Sequence, residues 1–226
     1  MKKTISFSLY GSDPFYCDGA VKTVKYGKEK YPDWEWRYYI GDSVPKDTLA
    51  LLESLGCNLV YMTGEQENNI SMLWRFFASE DSDIAIFRDA DSPILWRERW
   101  AVQEWLQSEK TLHCMRDNQH HHSWPIFGGM WGIKNKIADI KDMINRYPKE
   151  DRYILDMDFL RDKIWDIYKE DSISHISNEN CHIYGDYIGR DTDRLILKGA
   201  IEADFPSIRK KEEFVGMRSF KYKIGY

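Results

Sequence analysis

Strand-like and helix-like segments alternate without a break up to residue 92, and that rhythm restricts the chain to a largely parallel sheet covered by helices. Thr4-Ile5-Ser6-Phe7-Ser8-Leu9 alternates polar and apolar residues and stops at Gly11-Ser12-Asp13-Pro14, a strand followed by a turn. Ala20 to Lys30 has helical character, and Trp36 to Ile40 is rich in strand-favouring aromatics and ends at Gly41. Pro45 opens a second helix carrying Leu49, Leu52 and Leu55, which ends near Gly56 and feeds the strand Asn58 to Met62. Asn69 to Phe77 reads as a third helix and Ile84 to Phe87 as the fourth strand. Ligands of such sheets gather at the carboxyl ends of the strands.

The fourth strand runs straight into Arg88-Asp89-Ala90-Asp91-Ser92-Pro93. In an extended segment, side chains two apart point the same way, so Asp89 and Asp91 are expected to converge on one point and share one hard cation. Mg²⁺ or Mn²⁺ held there keeps open positions for phosphate oxygens. Ser92 is a good N-cap and Pro93 suits the first helical position, which predicts a helix from Pro93 to about Ser108. An exposed acidic turn is the competing reading of Asp-x-Asp alone, and the apolar strand before it argues against that reading.

Past Ser108 the pattern loosens: Leu112 to Met115 is a short strand, and Asn118 to Trp124 is a polar loop with adjacent His120, His121 and His122. Three neighbouring loop imidazoles do not readily face one tetrahedral ion, so zinc is not expected. Pro125-Ile126-Phe127-Gly128-Gly129-Met130-Trp131-Gly132 fits either backbone approaching a ligand closely or a glycine-rich bulge in the sheet. Helices are predicted over 135–147 and 151–169, and the remainder from Asp171 is less regular. Neither glycine-rich phosphate cradle occurs: no Gly-x-Gly-x-x-Gly follows the first strand and no Gly-x-x-x-x-Gly-Lys-Ser/Thr is present.

With 226 residues, 42% of them hydrophobic, and no repeat or linker, the expectation is an α/β fold in a single domain over 1–226. The formal net charge of -5 argues against a nucleic-acid binder, and the cluster Arg209, Lys210, Lys211 is too short to change that. Cys17, Cys57, Cys114 and Cys181 form no Cys-x-x-Cys pair, so reduced thiols are expected. The run after Met1-Lys2-Lys3 is too short and polar for a signal peptide, which predicts a cytoplasmic protein. No apolar stretch approaches the roughly 20 residues that cross a bilayer, leaving only peripheral membrane contact open. Composition is silent on oligomeric state.

Trp74-Arg75-Phe76, Arg88-Asp89-Ala90-Asp91-Ser92, Arg97-Glu98, Met115-Arg116-Asp117 and Gly128-Gly129-Met130-Trp131-Gly132 together resemble a family of small glycosyltransferases of bacteria and large DNA viruses. The resemblance spans about Ile5 to Met217 and implies a GT-A fold with a Rossmann-like, mostly parallel central sheet. It implies sugar transfer from a nucleotide-diphosphate donor, with a UDP-sugar expected, to a glycan acceptor, assisted by Mn²⁺ or Mg²⁺. Residues 1–92 would then form the nucleotide-sugar half and 93–226 the acceptor half.

By the same resemblance, Asp89 contacts the ribose or the metal through water and Asp91 binds the cation directly. His175, in Ser174-His175-Ile176-Ser177, resembles the segment that supplies a third metal ligand, although Ile176 replaces its aspartate; His182 is the alternative. Asp156-Met157-Asp158-Phe159-Leu160 resembles the family's Asp-Gln-x-Phe-Leu segment, with Met157 in place of glutamine. Asp156 is therefore the leading candidate for a catalytic base in an inverting reaction, with Asp158 second. Arg75 and Arg88 are candidates for the diphosphate or for orienting the acidic pair, with a buried structural ion pair the competing role for each. Arg97 and Glu98 face differently on a helix, so a surface role is expected for one of them. Of the nine tryptophans, only Trp124 and Trp131, beside Gly128 and Gly129, are expected at the acceptor, with His121 or a neighbour reading sugar hydroxyls. Two other classes compete: a haloacid-dehalogenase-type phosphohydrolase with Asp89 as nucleophile, and a non-catalytic glycan-binding module.

Overall fold

The structure, a computed structural model, describes residues 1–118, 121, 124–148, 151–177, 200–208 and 213–218. His120, His122, Cys181, His182 and the cluster 209–211 lie outside the described residues. The described strands are β1 (Lys3–Leu9), β2 (Glu35–Ile40), β3 (Asn58–Tyr61), β4 (Ile84–Phe87), β5 (Leu112–Arg116), β6 (Trp131–Lys134), β7 (Ser172–Ile176) and β8 (Ile201–Asp204). They form one sheet in the order β3-β2-β1-β4-β6-β5-β7-β8. Every neighbouring pair is parallel except those of β6, which runs antiparallel between β4 and β5.

Helices cover both faces. One face carries α1 (Pro14–Gly27), α2 (Lys46–Ser54) and α3 (Trp96–Gln107), packed on Ile5, Phe7, Leu9, Ile84 and Ile86. The other carries a 3₁₀ helix (Asn69–Glu80), α4 (Ile140–Arg146) and α5 (Leu155–Leu160), packed on Ala85, Phe87 and Trp131. A π-helical turn, 161–165, joins α5 to α6 (Asp166–Tyr168). Among the described residues no helix is long and apolar enough to cross a membrane.

The polar side of β1 does not face water. Thr4 and Ser6 are fully buried, and the hydroxyls along this side are consumed by the layer above: Thr4 Oγ1 bonds to Ser82 Oγ at 2.7 Å, Ser6 Oγ donates to the Arg75 carbonyl at 2.6 Å, and Ser8 Oγ accepts from the Arg75 amide at 3.0 Å. These bonds fasten the 3₁₀ helix to the carboxyl end of β1. Asn68 caps that helix, accepting from Ile70 N at 2.8 Å, while Ser71 Oγ accepts from Asn68 N at 3.2 Å.

Several boundaries differ from expectation. Residues 69–80 wind as a 3₁₀ rather than an α-helix, so positions three apart share a face. Helix α3 starts at Trp96, with Leu95 at the N-cap, so neither Ser92 nor Pro93 begins it. Ser92 N instead closes a turn onto the Asp89 carbonyl at 3.2 Å, and Thr23 on α1 donates to the carbonyls of Ala90 (3.2 Å) and Ser92 (3.1 Å). Helix α4 begins only at Ile140, because Ile137 N bonds to the Ser79 carbonyl and holds the preceding chain against the 3₁₀ helix. The segment after Asp171 is more regular than its sequence suggests and adds β7 and β8.

Candidate active site

Strand alternation decides where the acidic motif delivers its side chains. Ala85 and Phe87 face the 3₁₀ helix while Ile84 and Ile86 face α3, so continuing the period sends Asp89 toward the first and Arg88 toward the second. Asp89 Oδ1 meets Arg75 Nη1 at 2.5 Å, and Arg75 Nη2 reaches Asp156 Oδ2 at 2.7 Å. Arg75, 4% exposed, thus ties the β4 turn to α5. Burial opposes its charge, but Asp89 and Asp156 outweigh that and hold the guanidinium firmly protonated. Burial pushes the Asp156 carboxyl up, against Arg75, and the charge of Asp89 adds to the rise.

Asp91 reaches the same cleft through the turn rather than by extended alternation, resting against Gly19 of α1, where an added Cβ would sit 3.1 Å from Asp91 Cα. Its carboxyl is pushed up to about 6, chiefly by burial and then by the neighbouring charge of Asp89, with Arg218 and Arg75 pulling the other way. A buried carboxyl raised by a neighbouring carboxylate marks a site short of positive charge.

Gly128 and Gly129 complete the cradle. A Cβ at Gly128 would fall on Asp156 Oδ2 and lie 2.5 Å from Arg75 Nη2, and one at Gly129 would fall on the carboxylate of Asp89. Any side chain there displaces one of the acids. The cleft has a volume of about 480 Å³ and opens at the carboxyl ends of β1 and β4, where Ser8, Leu9 and Tyr10 form a wall. A larger cavity, about 800 Å³, lies by β2 and β3, where Arg37 pairs with Asp81 at 2.7 Å and Lys141 with Glu80 at 2.6 Å.

The structure gathers Arg75, Asp89, Asp91, His121, Gly128, Gly129 and Asp156 around the smaller cleft. Other expected residues go elsewhere. Arg88 turns into the core, where Nε pairs with Glu98 Oε1 at 2.7 Å and Nη1 donates to the carbonyls of Phe87 and Trp131. His175 is fully buried on β7, separated from β4 by β6 and β5, roughly 14 Å at the usual strand spacing. Its Nδ1 shares a proton with His113 Nε2 at 2.8 Å and its Nε2 lies 3.6 Å from Glu104, so it is not brought to the acidic pair.

Asp158 is held by Arg152 at 2.5 Å and Arg161 at 2.9 Å and does not line the cleft. Trp131 has no exposure and packs on Phe87, with ring centroids 4.2 Å apart. Trp124 lies under the Arg161 guanidinium at 5.1 Å, outside the cleft wall. Arg97 and Glu98 are both buried, so neither has the expected surface role: Arg97 pairs with Asp117 and Glu98 with Arg88. Cys17, Cys57 and Cys114 are free thiols, as expected of them.

Sequence reasoning missed Tyr10, Tyr16, Tyr153 and Arg218, which all line the cleft. Tyr10 directly follows β1, a position that the carboxyl-end rule marks; Tyr16, Tyr153 and Arg218 sit in no pattern that a single sequence displays.

No protein-family profile and no curated protein sequence matches the chain. Solved structures do. Glucosyl-3-phosphoglycerate synthase from Mycobacterium tuberculosis in complex with uridine diphosphate aligns with a TM-score of 0.51 at 13% identity, over 93% of this chain and 73% of that one. A mycobacterial protein aligns with a TM-score of 0.52 at 14% identity, over 90% of this chain and 65% of that one. The same synthase in complex with Mn²⁺, UDP-glucose and phosphoglyceric acid gives 0.50 at 12% identity, over 90% and 69%. These identities carry fold alone. The mixed, mostly parallel sheet flanked by helices is the GT-A fold of these glycosyltransferases.

Proposed function

We propose that this chain is a metal-dependent glycosyltransferase that moves a sugar from a nucleotide-diphosphate donor, a UDP-sugar first among them, to a glycan acceptor. The observation that carries this reading is the convergence of Asp89, Asp91 and Asp156 in one glycine-lined cleft at the carboxyl ends of parallel strands. That structures of the synthase hold uridine diphosphate, or Mn²⁺ with UDP-glucose, supports the choice of donor and cation.

The residues fit a divalent cation. Mg²⁺ is usually held by one or two carboxylates plus substrate phosphates, and Asp91, raised by the neighbouring charge of Asp89, supplies such a ligand with Asp89 beside it. The chemistry such a cation would supply is stabilisation of negative charge on the departing nucleoside diphosphate, more in the transition state than in the ground state. Asp89 and Asp91 would hold it.

The chain's own groups supply the rest. Arg75 fixes Asp89 and Asp156 relative to each other, so the donor side and the acceptor side are set by one guanidinium. Asp156, whose carboxyl burial raises, is placed to take a proton from an acceptor hydroxyl entering past Gly128. His121, on the same wall, is the histidine proposed to meet hydroxyls of the sugar. Residues 1–92 bring the donor-side acids and 93–226 bring Asp156, the glycines and His121. A haloacid-dehalogenase route through an Asp89 phosphoenzyme is disfavoured, because its nucleophile follows the first strand of its fold and Asp89 follows β4.

A donor screen tests the proposal: UDP-, GDP- and dTDP-sugars with Mn²⁺ or Mg²⁺, read as released nucleotide. Cation-dependent release from one donor class is expected. Glycan binding that persists without nucleotide or metal, with no turnover of any donor, would favour a binding module instead.

A further inference from the structure

The cleft contains a cation that the acidic pair does not explain. Its lining carries the carboxylates Asp89, Asp91 and Asp156 and two guanidinium groups, Arg75 and Arg218. Arg75 is taken up by two of the acids, at 2.5 and 2.7 Å. Arg218 differs: its Nη2 donates to the Tyr153 hydroxyl at 2.8 Å, and among the described residues it forms no ion pair with a carboxylate.

A buried clamp sets the position of Arg218. Asp117, with no exposure, is gripped by Arg97 Nε at 2.9 Å and Nη2 at 3.0 Å and accepts from the Val215 amide at 2.9 Å. Val215 is buried with Met115 and Met130, and Met217 is buried too, at 0% and 1% exposure. Gly216 between them has φ +80°, which favours glycine, and a Cβ there would strike Met130 Sδ. Met130 follows Gly129, whose backbone abuts Asp89. The turn 214–217, closed by Met217 N on the Phe214 carbonyl at 3.1 Å, is therefore locked to the same segment that cradles the acids. So much buried structure under a side chain that is itself exposed points to a job in the cleft rather than to packing.

We propose that Arg218 binds the phosphate groups of the nucleotide, its planar fork offering paired donors to a diphosphate and Tyr153 orienting it. This rests on the nucleotide-sugar reading above and names a binding residue that reading did not contain. It also assigns the Met115-Arg116-Asp117 segment a role: Asp117 positions Arg218 without touching the ligand.

The test uses the full chain and whichever of UDP, GDP or dTDP binds it most tightly in Mn²⁺, titrated by calorimetry. Arg218→Gln is expected to weaken the nucleoside diphosphate about ten- to a hundredfold, the range for a lost hydrogen bond to a charged group. Arg218→Lys is expected to recover part of that loss, and Tyr153→Phe to lose only a few-fold. Binding of the matching phosphate-free nucleoside, read by ligand-observed NMR, stays at the unsubstituted level in Arg218→Gln, and its thermal melting stays unchanged. An unaltered affinity for the diphosphate in Arg218→Gln, or an equal loss for the nucleoside, overturns the proposal while leaving the glycosyltransferase reading intact. Failure of the unsubstituted chain to bind any of the three with Mn²⁺ or Mg²⁺ overturns both.

Discussion

Arg75 and Arg88 are almost equally buried, at 4% and 2% exposure, and each grips a carboxylate at 2.5 to 2.7 Å, yet they serve opposite faces of the sheet. Arg75 stands on the 3₁₀ helix and spans Asp89 and Asp156 at the cleft; Arg88 follows β4 and closes a core pair with Glu98 on α3. One residue's step along β4 separates them, because Asp89 and Arg88 continue alternate faces. Burial and ion pairing alone therefore do not mark a functional arginine. What distinguishes Arg75 is that its partners also meet a cleft and two glycines that leave room for nothing else.

Substitutions can break this contrast. The largest effect on activity is expected from Asp91→Asn, which keeps the shape of the cleft and removes a cation ligand: donor turnover should fall by about 10³-fold with little change in melting temperature. The largest effect on stability belongs to Arg88→Met, which leaves Glu98 buried and unpaired. Urea unfolding should show a loss of about 3–5 kcal/mol, and Arg88→Met combined with Glu98→Leu should regain most of it. Recovery of fold by the double variant without recovery of donor turnover would place Arg88 in the cleft chemistry after all.

Gly128→Ala is expected to rank next. The new methyl meets Asp156 and Arg75, so turnover drops while stability changes by about 1–3 kcal/mol, the range for a forced misfit in packed surroundings. The smallest effect is predicted for His175→Gln: Mn²⁺ affinity, measured by titration in the presence of nucleotide, should stay at the unsubstituted value. A loss matching that of Asp91→Asn would reinstate His175 as a ligand.

Much of the first half of the fold was legible in the sequence because its signals are local. The alternation up to residue 92 gives β1 to β4 in chain order, and the apolar run ending in Asp89 and Asp91 marks the strand end where ligands collect. What escaped was set by contacts between distant residues. Arg75 was a candidate from the sequence, but the 3₁₀ winding of 69–80 that carries it was not legible, because helix propensity does not register a period of three. Asp91 arrives by a turn that α1 stabilises through Thr23, 67 residues from Ala90. His175 carries a family-like segment, but its strand pairs with β5 and β8 rather than with β4. Arg218 depends on Asp117 and Val215, 98 positions apart, and nothing near it in the chain announces that bond.

The most direct test is calorimetric titration of nucleoside diphosphate into the chain with Mn²⁺ and with chelator, repeated for Asp91→Asn. The account predicts binding that requires the cation in the unsubstituted protein and is lost in the variant. Equal binding with and without Mn²⁺, or an Asp91→Asn affinity indistinguishable from the unsubstituted chain, would contradict it.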